Sequence, residues 1–345
     1  RKQQVPFNVE QMNARHGFSL ALIIGAWGQL MAQDPHFTQF YASPTYLSPA
    51  FAGTTVQSRL ALQFRDQWPA IPGAFVSFAF AADQYLANLN SGIGLIAVRD
   101  QAGSGALSST TISLQYAYEI RLKHKVYLRP ALQFGYANRA VNYSKLVFND
   151  QLARGGDIST YEHFDRRKAG YADIGSGLLF FTPTMWAGIA LQHMNEPNQS
   201  LLLEEVRLPR QFNLHGGYRF KLRSGGMVRK NQQAIVAAFN YRAQGKFDQL
   251  DIGAYYEQDP VFGGIWYRGL PVKSYRPGYQ NNDAIALLAG FKAGDWRFGY
   301  SYDITISRLA INSGGAHEIT AVYEFADKRK KRSMARRRVV PCAKF

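Results

Sequence analysis

The sequence predicts an all-β protein, a transmembrane antiparallel β-barrel of about 14 strands with short periplasmic turns and longer extracellular loops. Three observations lead there. Aromatic residues make up 14% of the chain, with 20 Tyr, 23 Phe and 31 Gly, a usage that favours strands. Apolar and polar side chains alternate with period two in segment after segment. These segments are also longer than the ~5–6 residues of an average globular strand and match the ~9–11 that a tilted strand needs to cross a bilayer.

The alternation is plain in 111–120, where Ile112, Leu114, Tyr116, Tyr118 and Ile120 interleave with Thr111, Ser113, Gln115 and Glu119. In 210–221 Phe212, Leu214, Tyr218 and Phe220 interleave with Asn213, His215, Arg219 and Lys221, and 295–304 sets Trp296, Phe298, Tyr300, Tyr302 and Ile304 against Asp295, Arg297, Ser301 and Asp303. Strands are expected near 56–66, 73–82, 91–101, 107–120, 124–137, 168–181, 184–194, 210–222, 232–242, 247–257, 260–268, 283–292, 295–304 and 316–325. Short connections (121–125, 182–184, 258–260, 293–295) alternate with longer ones (138–168, 195–209, 269–282, 305–315), as a membrane barrel requires. The connections at 82–90 and 222–231 are longer than that rule prefers. The charge-free stretch 174–195 could pass for a spanning helix, but Thr182-Pro183-Thr184 breaks it into two strand-length halves, so a hairpin is expected.

The chain ends divide from this body. Arg1, Lys2 and Arg15 precede the charge-free run Gly17 to Ala32, the pattern of a secretory leader cut after Ala32. Residues 33–55 form an N-terminal periplasmic or plug segment, 56–326 the barrel and 327–345 a basic tail. The net charge of +16 sits mostly in leader and tail: residues 33–327 hold 28 bases against 23 acids, 28 − 23 = +5, so the body is no nucleic-acid surface. Mean hydropathy of −0.25 excludes a helical transporter. A lone cysteine, Cys342, excludes internal disulfides and thiolate metal sites. The sequence holds no GxSxG, HExxH or P-loop, and Gly92-Ile93-Gly94 continues as a strand rather than opening a helix. Neither His163, beside Glu162 and Asp165, nor His317, beside Glu318, makes a catalytic set. No enzyme, metal or cofactor is expected.

The segment QDPHFTQFYASPTYLSPAFAG at 33–53, followed by FRDQWPAIPGAF at 64–75, resembles the start of the PorP/SprF family of type IX secretion outer-membrane proteins. The resemblance rests on Gln33-Asp34-Pro35, Phe37, Gln39, Tyr41, Pro44, Leu47, Pro49-Ala50-Phe51-Ala52-Gly53, Arg65 and Gln67-Trp68-Pro69. It implies residence in the outer membrane of a double-membrane bacterium; the even strand count and the short–long alternation of the connections put both termini in the periplasm. The resemblance also implies work with secretion or gliding-motility machinery. The implied partners are membrane lipid, a secreted surface protein with a C-terminal sorting domain, and periplasmic components.

The residues themselves offer two sets of candidates. Inward charges by alternation are Arg59, Arg65, Arg129, Arg219, Asp251, Glu257, Arg297 and Asp303, together with Glu318 and Glu324; their mixed sign suggests a salt-bridged lumen more than an ion-selective channel. Candidate partner-binding aromatics are Phe37, Tyr41, Tyr46, Phe51 and Trp68 near the N-terminus, and Tyr143, Phe148, Tyr161 and Phe164 in the longest loop. The proline-rich segment 33–53 could plug the barrel, pack in its lumen for stability alone, or form a periplasmic ledge for a partner. The competing function is a channel for small hydrophobic solutes.

Overall fold

The computed structural model describes residues 34–55, 58–73, 75–103, 106–155, 160–161, 168–201, 204–223, 233–276, 279–307 and 313–325; the leader, the basic tail, Phe164 and His163 lie outside them. The chain divides after Asp34 into two units, and every strand of the described residues belongs to the second, which begins at Pro35. Its strands are β1 (Arg59–Gln67), β2 (Phe75–Leu86), β3 (Ser91–Ala102), β4 (Leu107–Tyr118), β5 (Val126–Val141), β6 (Lys168–Phe181) and β7 (Met185–Gln192). They continue as β8 (Gln211–Arg223), β9 (Gln233–Gln244), β10 (Phe247–Gln258), β11 (Val261–Arg276), β12 (Tyr279–Ala293), β13 (Trp296–Thr305) and β14 (Ala316–Glu324). A short piece, Ile120–Lys123, carries β4 on past Glu119 and pairs with the same neighbour, β5.

Each strand pairs antiparallel with the next, and β1 pairs with β14 from Arg59↔Glu324 to Gln67↔Ala316, so the sheet closes as a fourteen-stranded barrel without an edge. Period two decides what each face carries. On β1, Arg59, Ala61, Gln63 and Arg65 are buried while Leu62 is exposed. Across the wall, Phe78, Ile112, Leu114, Phe134, Ile252, Ile265, Leu287 and Ile319 present an apolar outer surface. The stretch 174–195 is the β6–β7 hairpin. His317 and Glu318 project to opposite faces, His317 outward beside Tyr300 (Nδ1 to Oη 2.8 Å) and Glu318 inward and buried.

The connections differ between the two ends. One end carries 142–167, 193–210 and 306–315; the other has turns such as His124–Lys125, 182–184, 259–260 and 294–295. Two connections are shorter than their sequences suggest. Strands β11 and β12 run on to Arg276 and Tyr279, so the expected loop 269–282 is mostly ladder with register shifts around Gly269 and Ser274. Likewise β2 reaches Leu86 and closes through a 3-10 turn at Ala87–Leu89.

Candidate functional site

Residues 35–55 lie within the barrel. A proline-rich stretch cannot form a ladder of its own, and here wall side chains satisfy its backbone groups instead. The segment contains one short helix, α1 (Pro44–Leu47), and a 3-10 turn at Pro49–Phe51 capped by the Ser48 hydroxyl, which accepts from the Ala50 N–H at 3.3 Å. Phe37, Gln39, Leu47, Ser48, Ala50, Phe51 and Ala52 are each at most 1% exposed.

A charged network holds the upper part, toward the long loops. The Glu318 carboxylate accepts from the backbone N–H groups of Thr38 (2.7 Å) and Gln39 (2.9 Å). The Thr38 hydroxyl donates to Asp303 (2.7 Å) and accepts from Arg65 (2.9 Å) and Arg268 (2.7 Å). Arg65 pairs with Asp303 at 2.8 Å and Glu318 at 3.3 Å; Arg268 pairs with Asp303 and with Asp251, both at 2.9 Å. His36 Nε2 lies 3.2 Å from Asp251. Gln39 donates to the Glu318 carbonyl (3.0 Å), its side-chain oxygen accepts from Thr320 (2.8 Å), and its backbone carbonyl accepts from Gln63 (3.0 Å). A buried carboxylate is tolerable only when paired and hydrogen-bonded, and Asp303 and Glu318 are both.

Below the network lies an apolar layer. Phe40 packs edge-on to Trp266 (5.0 Å between centroids), Tyr41 meets Tyr255 (5.6 Å), and Phe51 meets His215 (5.2 Å). Small inward residues, Ala61, Ala81, Ala117, Ala131, Ala238 and Ala286, leave room for these rings. Wall and segment come closest at Gly92: a Cβ there would strike the Ala52 carbonyl and the Arg129 guanidinium, so only glycine fits.

At the short-turn end, four ion pairs ring the exit: Arg59–Asp83 (2.8 Å), Arg129–Glu119 (3.2 Å), Arg219–Glu257 (2.5 Å) and Arg297–Glu324 (3.3 Å). The segment is tied into this ring, since Arg129 donates to the Ala52 carbonyl and the Gly53 N–H donates to Asp83 at 2.8 Å. The segment thus runs from His36, beside Gln249 near the long-loop end, down to Ser58 at the opposite rim.

The expected inward charges therefore line the lumen, divided between two tiers. Glu119, on the polar face of its strand in the sequence pattern, joins them through Arg129, and Arg268, Asp83, Thr38 and His36 join unannounced. Of the candidate aromatics, Phe37, Tyr41 and Phe51 are turned into the lumen and covered, and Tyr46 is half-buried, its hydroxyl bonding the Pro35 carbonyl. They could meet a partner only if the segment left the barrel. Trp68, Tyr143, Phe148 and Tyr161 lie at the long-loop end. There Trp68 has φ of 60° and donates its N–H to the Gly315 carbonyl at 2.8 Å. Tyr161 is 74% exposed and stacks beneath Arg154 (4.1 Å). Arg154 in turn pairs with Asp150 of the short helix α2 (Asn149–Ala153). The Tyr161 N–H, with Thr160 and Arg154, holds the Asp150 carboxyl below the usual carboxylate range. Val147 and Leu152 are exposed beside it.

A filled lumen predicts a closed barrel. Liposomes carrying the purified protein should swell in sugar solution no faster than empty ones, whereas deletion of residues 36–53 should give rapid swelling. A large conductance in the intact protein would contradict this arrangement.

Among solved structures, the barrel is similar to the outer membrane protein Omp33 of Acinetobacter baumannii (8% identity, TM-score 0.43, covering 78% of this chain and 99% of that one). It is also similar to the CymD monoaromatic hydrocarbon channel (12%, 0.46, 82% and 93%) and the P. putida toluene transporter TodX (8%, 0.44, 81% and 92%). No curated protein sequence matches the chain. A family match, to the type IX secretion system membrane protein PorP/SprF, runs over residues 30–323 and so takes in both the lumen segment and the wall that holds it. The chain belongs to the PorP/SprF family and is an outer-membrane β-barrel component of type IX secretion.

Proposed function

We propose that the protein is a non-enzymatic anchor. Its long-loop end binds an exported surface protein carrying a C-terminal sorting domain, and its short-turn end couples to periplasmic components of the secretion or gliding machinery. In this reading the short turns face the periplasm, as is the rule for such barrels, and the wall begins and ends there, at Arg59 and Glu324. The observation that carries the reading is the occupied lumen: with residues 35–55 wired to the wall on all sides, the working surfaces are the two rims rather than a path between them. Trp68, Tyr143, Phe148 and Tyr161, with Val147 and Leu152, supply apolar and aromatic area at the outer rim, the composition of a recognition surface.

Affinity purification of the tagged protein from detergent-solubilised outer membranes, followed by mass spectrometry, tests this. A large surface protein or periplasmic scaffold components should remain bound, and Tyr161→Ala with Val147→Ser should cut recovery of the surface protein while leaving the periplasmic set. A lone barrel under crosslinking, together with solute uptake, would favour a channel for small hydrophobic molecules instead.

A further inference from the structure

The two mouths of the barrel differ in charge. At the short-turn end, at and beyond the ring of four ion pairs, Arg121, Lys221 and Lys292 are exposed at inward register positions. Arg121 stands opposite Tyr127, Lys221 opposite Ala234 and Lys292 opposite Arg297, and each of these neighbours points into the lumen. None of the three has an acidic partner among the described residues. The acids of the ring are already held by arginines, leaving Asp259 and Asp295 exposed at turn tips. At the opposite rim Lys273 pairs with Asp248 (2.6 Å), Arg207 with Glu205 (2.9 Å) and Arg154 with Asp150 (2.8 Å), while Lys168, next to inward Ala169, is turned outward and Lys246 lies at a turn tip, so neither faces the mouth.

We propose that the short-turn mouth is a docking site for an acidic segment of a partner protein, seated over the barrel axis. Anionic lipid would be met by the outward face, but there the neighbours of these cations are Leu122, Leu222 and Phe291, all apolar. The chain's own tail cannot fill the mouth. It carries nine Lys/Arg and no acid from 328 on, so it offers no acidic occupant. A second copy would bring the same sign. Unpaired cations around a concave mouth focus that field and steer an acidic partner. The inference rests on the proposed anchor function only for the partner's compartment.

The test uses the full-length protein in neutral detergent and a fluorescent glutamate-rich peptide, read by anisotropy at low and high salt. Binding should weaken with salt and fall about tenfold or more in the Arg121→Glu/Lys221→Glu/Lys292→Glu variant. The Lys168→Glu/Lys246→Glu variant at the other rim should bind as the parent does. Carbodiimide coupling of the peptide to the unmutated protein should map to Lys221 and Lys292, a readout that stands even if the triple variant folds poorly. Unchanged affinity in a folded triple variant, coupling at Lys168 and Lys246, or capture of anionic vesicles in place of the peptide would overturn the proposal. A wrong membrane orientation would leave the peptide result intact and show instead as surface labelling of Lys221 in intact cells.

Discussion

Replacing Arg268 by Met should lower the stability of the folded barrel by about 3–5 kcal/mol, the cost of breaking a buried ion pair by removing one partner. The guanidinium uses all three nitrogens, Nε toward Asp251, Nη1 toward Asp303 and Nη2 toward the Thr38 hydroxyl. Without it, Asp303 keeps Arg65 and the Thr38 hydroxyl, and Asp251 keeps only His36 and the Gln249 amide, so Asp251 loses its one arginine. Urea unfolding in detergent, followed by tryptophan fluorescence and heat-modifiable gel migration, gives the midpoint. Arg268→Lys should recover only part of the loss, because one ammonium cannot reach three acceptors in a fixed fork. Adding Asp251→Asn to Arg268→Met should recover more by removing the stranded charge. A shift under about 1 kcal/mol would mean that the network is hydrated and weak.

The second large effect is expected at Gly92. Gly92→Leu places a side chain where the Ala52 carbonyl and Arg129 now sit, and the wall cannot yield because β3 is laddered to β2 and β4 on both sides. The segment must move, at a cost of about 3 kcal/mol or more for overpacking of this kind. The barrel should still migrate as folded, but residues 44–55 should become open to protease and liposomes should swell. Gly94→Ala, whose added carbon would lie 3.1 Å from Gln115 and 3.2 Å from Ala52, should be far milder. Equal behaviour of the two variants would argue against tight packing there.

Most of the wall was legible because membrane strands must alternate: one residue in two meets lipid, and no other pressure on the sequence is as uniform. Where alternation blurred, so did the reading. Arg268 escaped notice because its inward neighbours on β11, Phe262, Gly264 and Trp266, are aromatic or small and pass for a lipid face; Trp266 is inward because it packs on Phe40. The continuation of β11 and β12 past residue 268 was hidden by Gly269 and Pro271, which punctuate sequence but here sit within an extended hairpin. The composition of 33–53 marked it as special without saying where it would go. Its polar groups are satisfied by Glu318, Gln63, Gln115, Gln192 and Asn213, residues far away in sequence, and no local pattern encodes such partners.

The position of the upper network has a consequence for assembly. Glu318 lies on β14 and Arg65 on β1, and these two strands form the pairing that shuts the cylinder, between the beginning and the end of the wall in sequence. Thr38 and Gln39 bridge that junction like a latch, bonded to β14 on one side and β1 on the other. Contacts some 280 residues apart are costly to bring together and form late. The seam and the latch therefore belong to one final step: the segment's bonds to both strands can complete only when the last strand meets the first, and its removal takes away contacts that span the seam while the ladder and the Arg65–Glu318 pair still hold it.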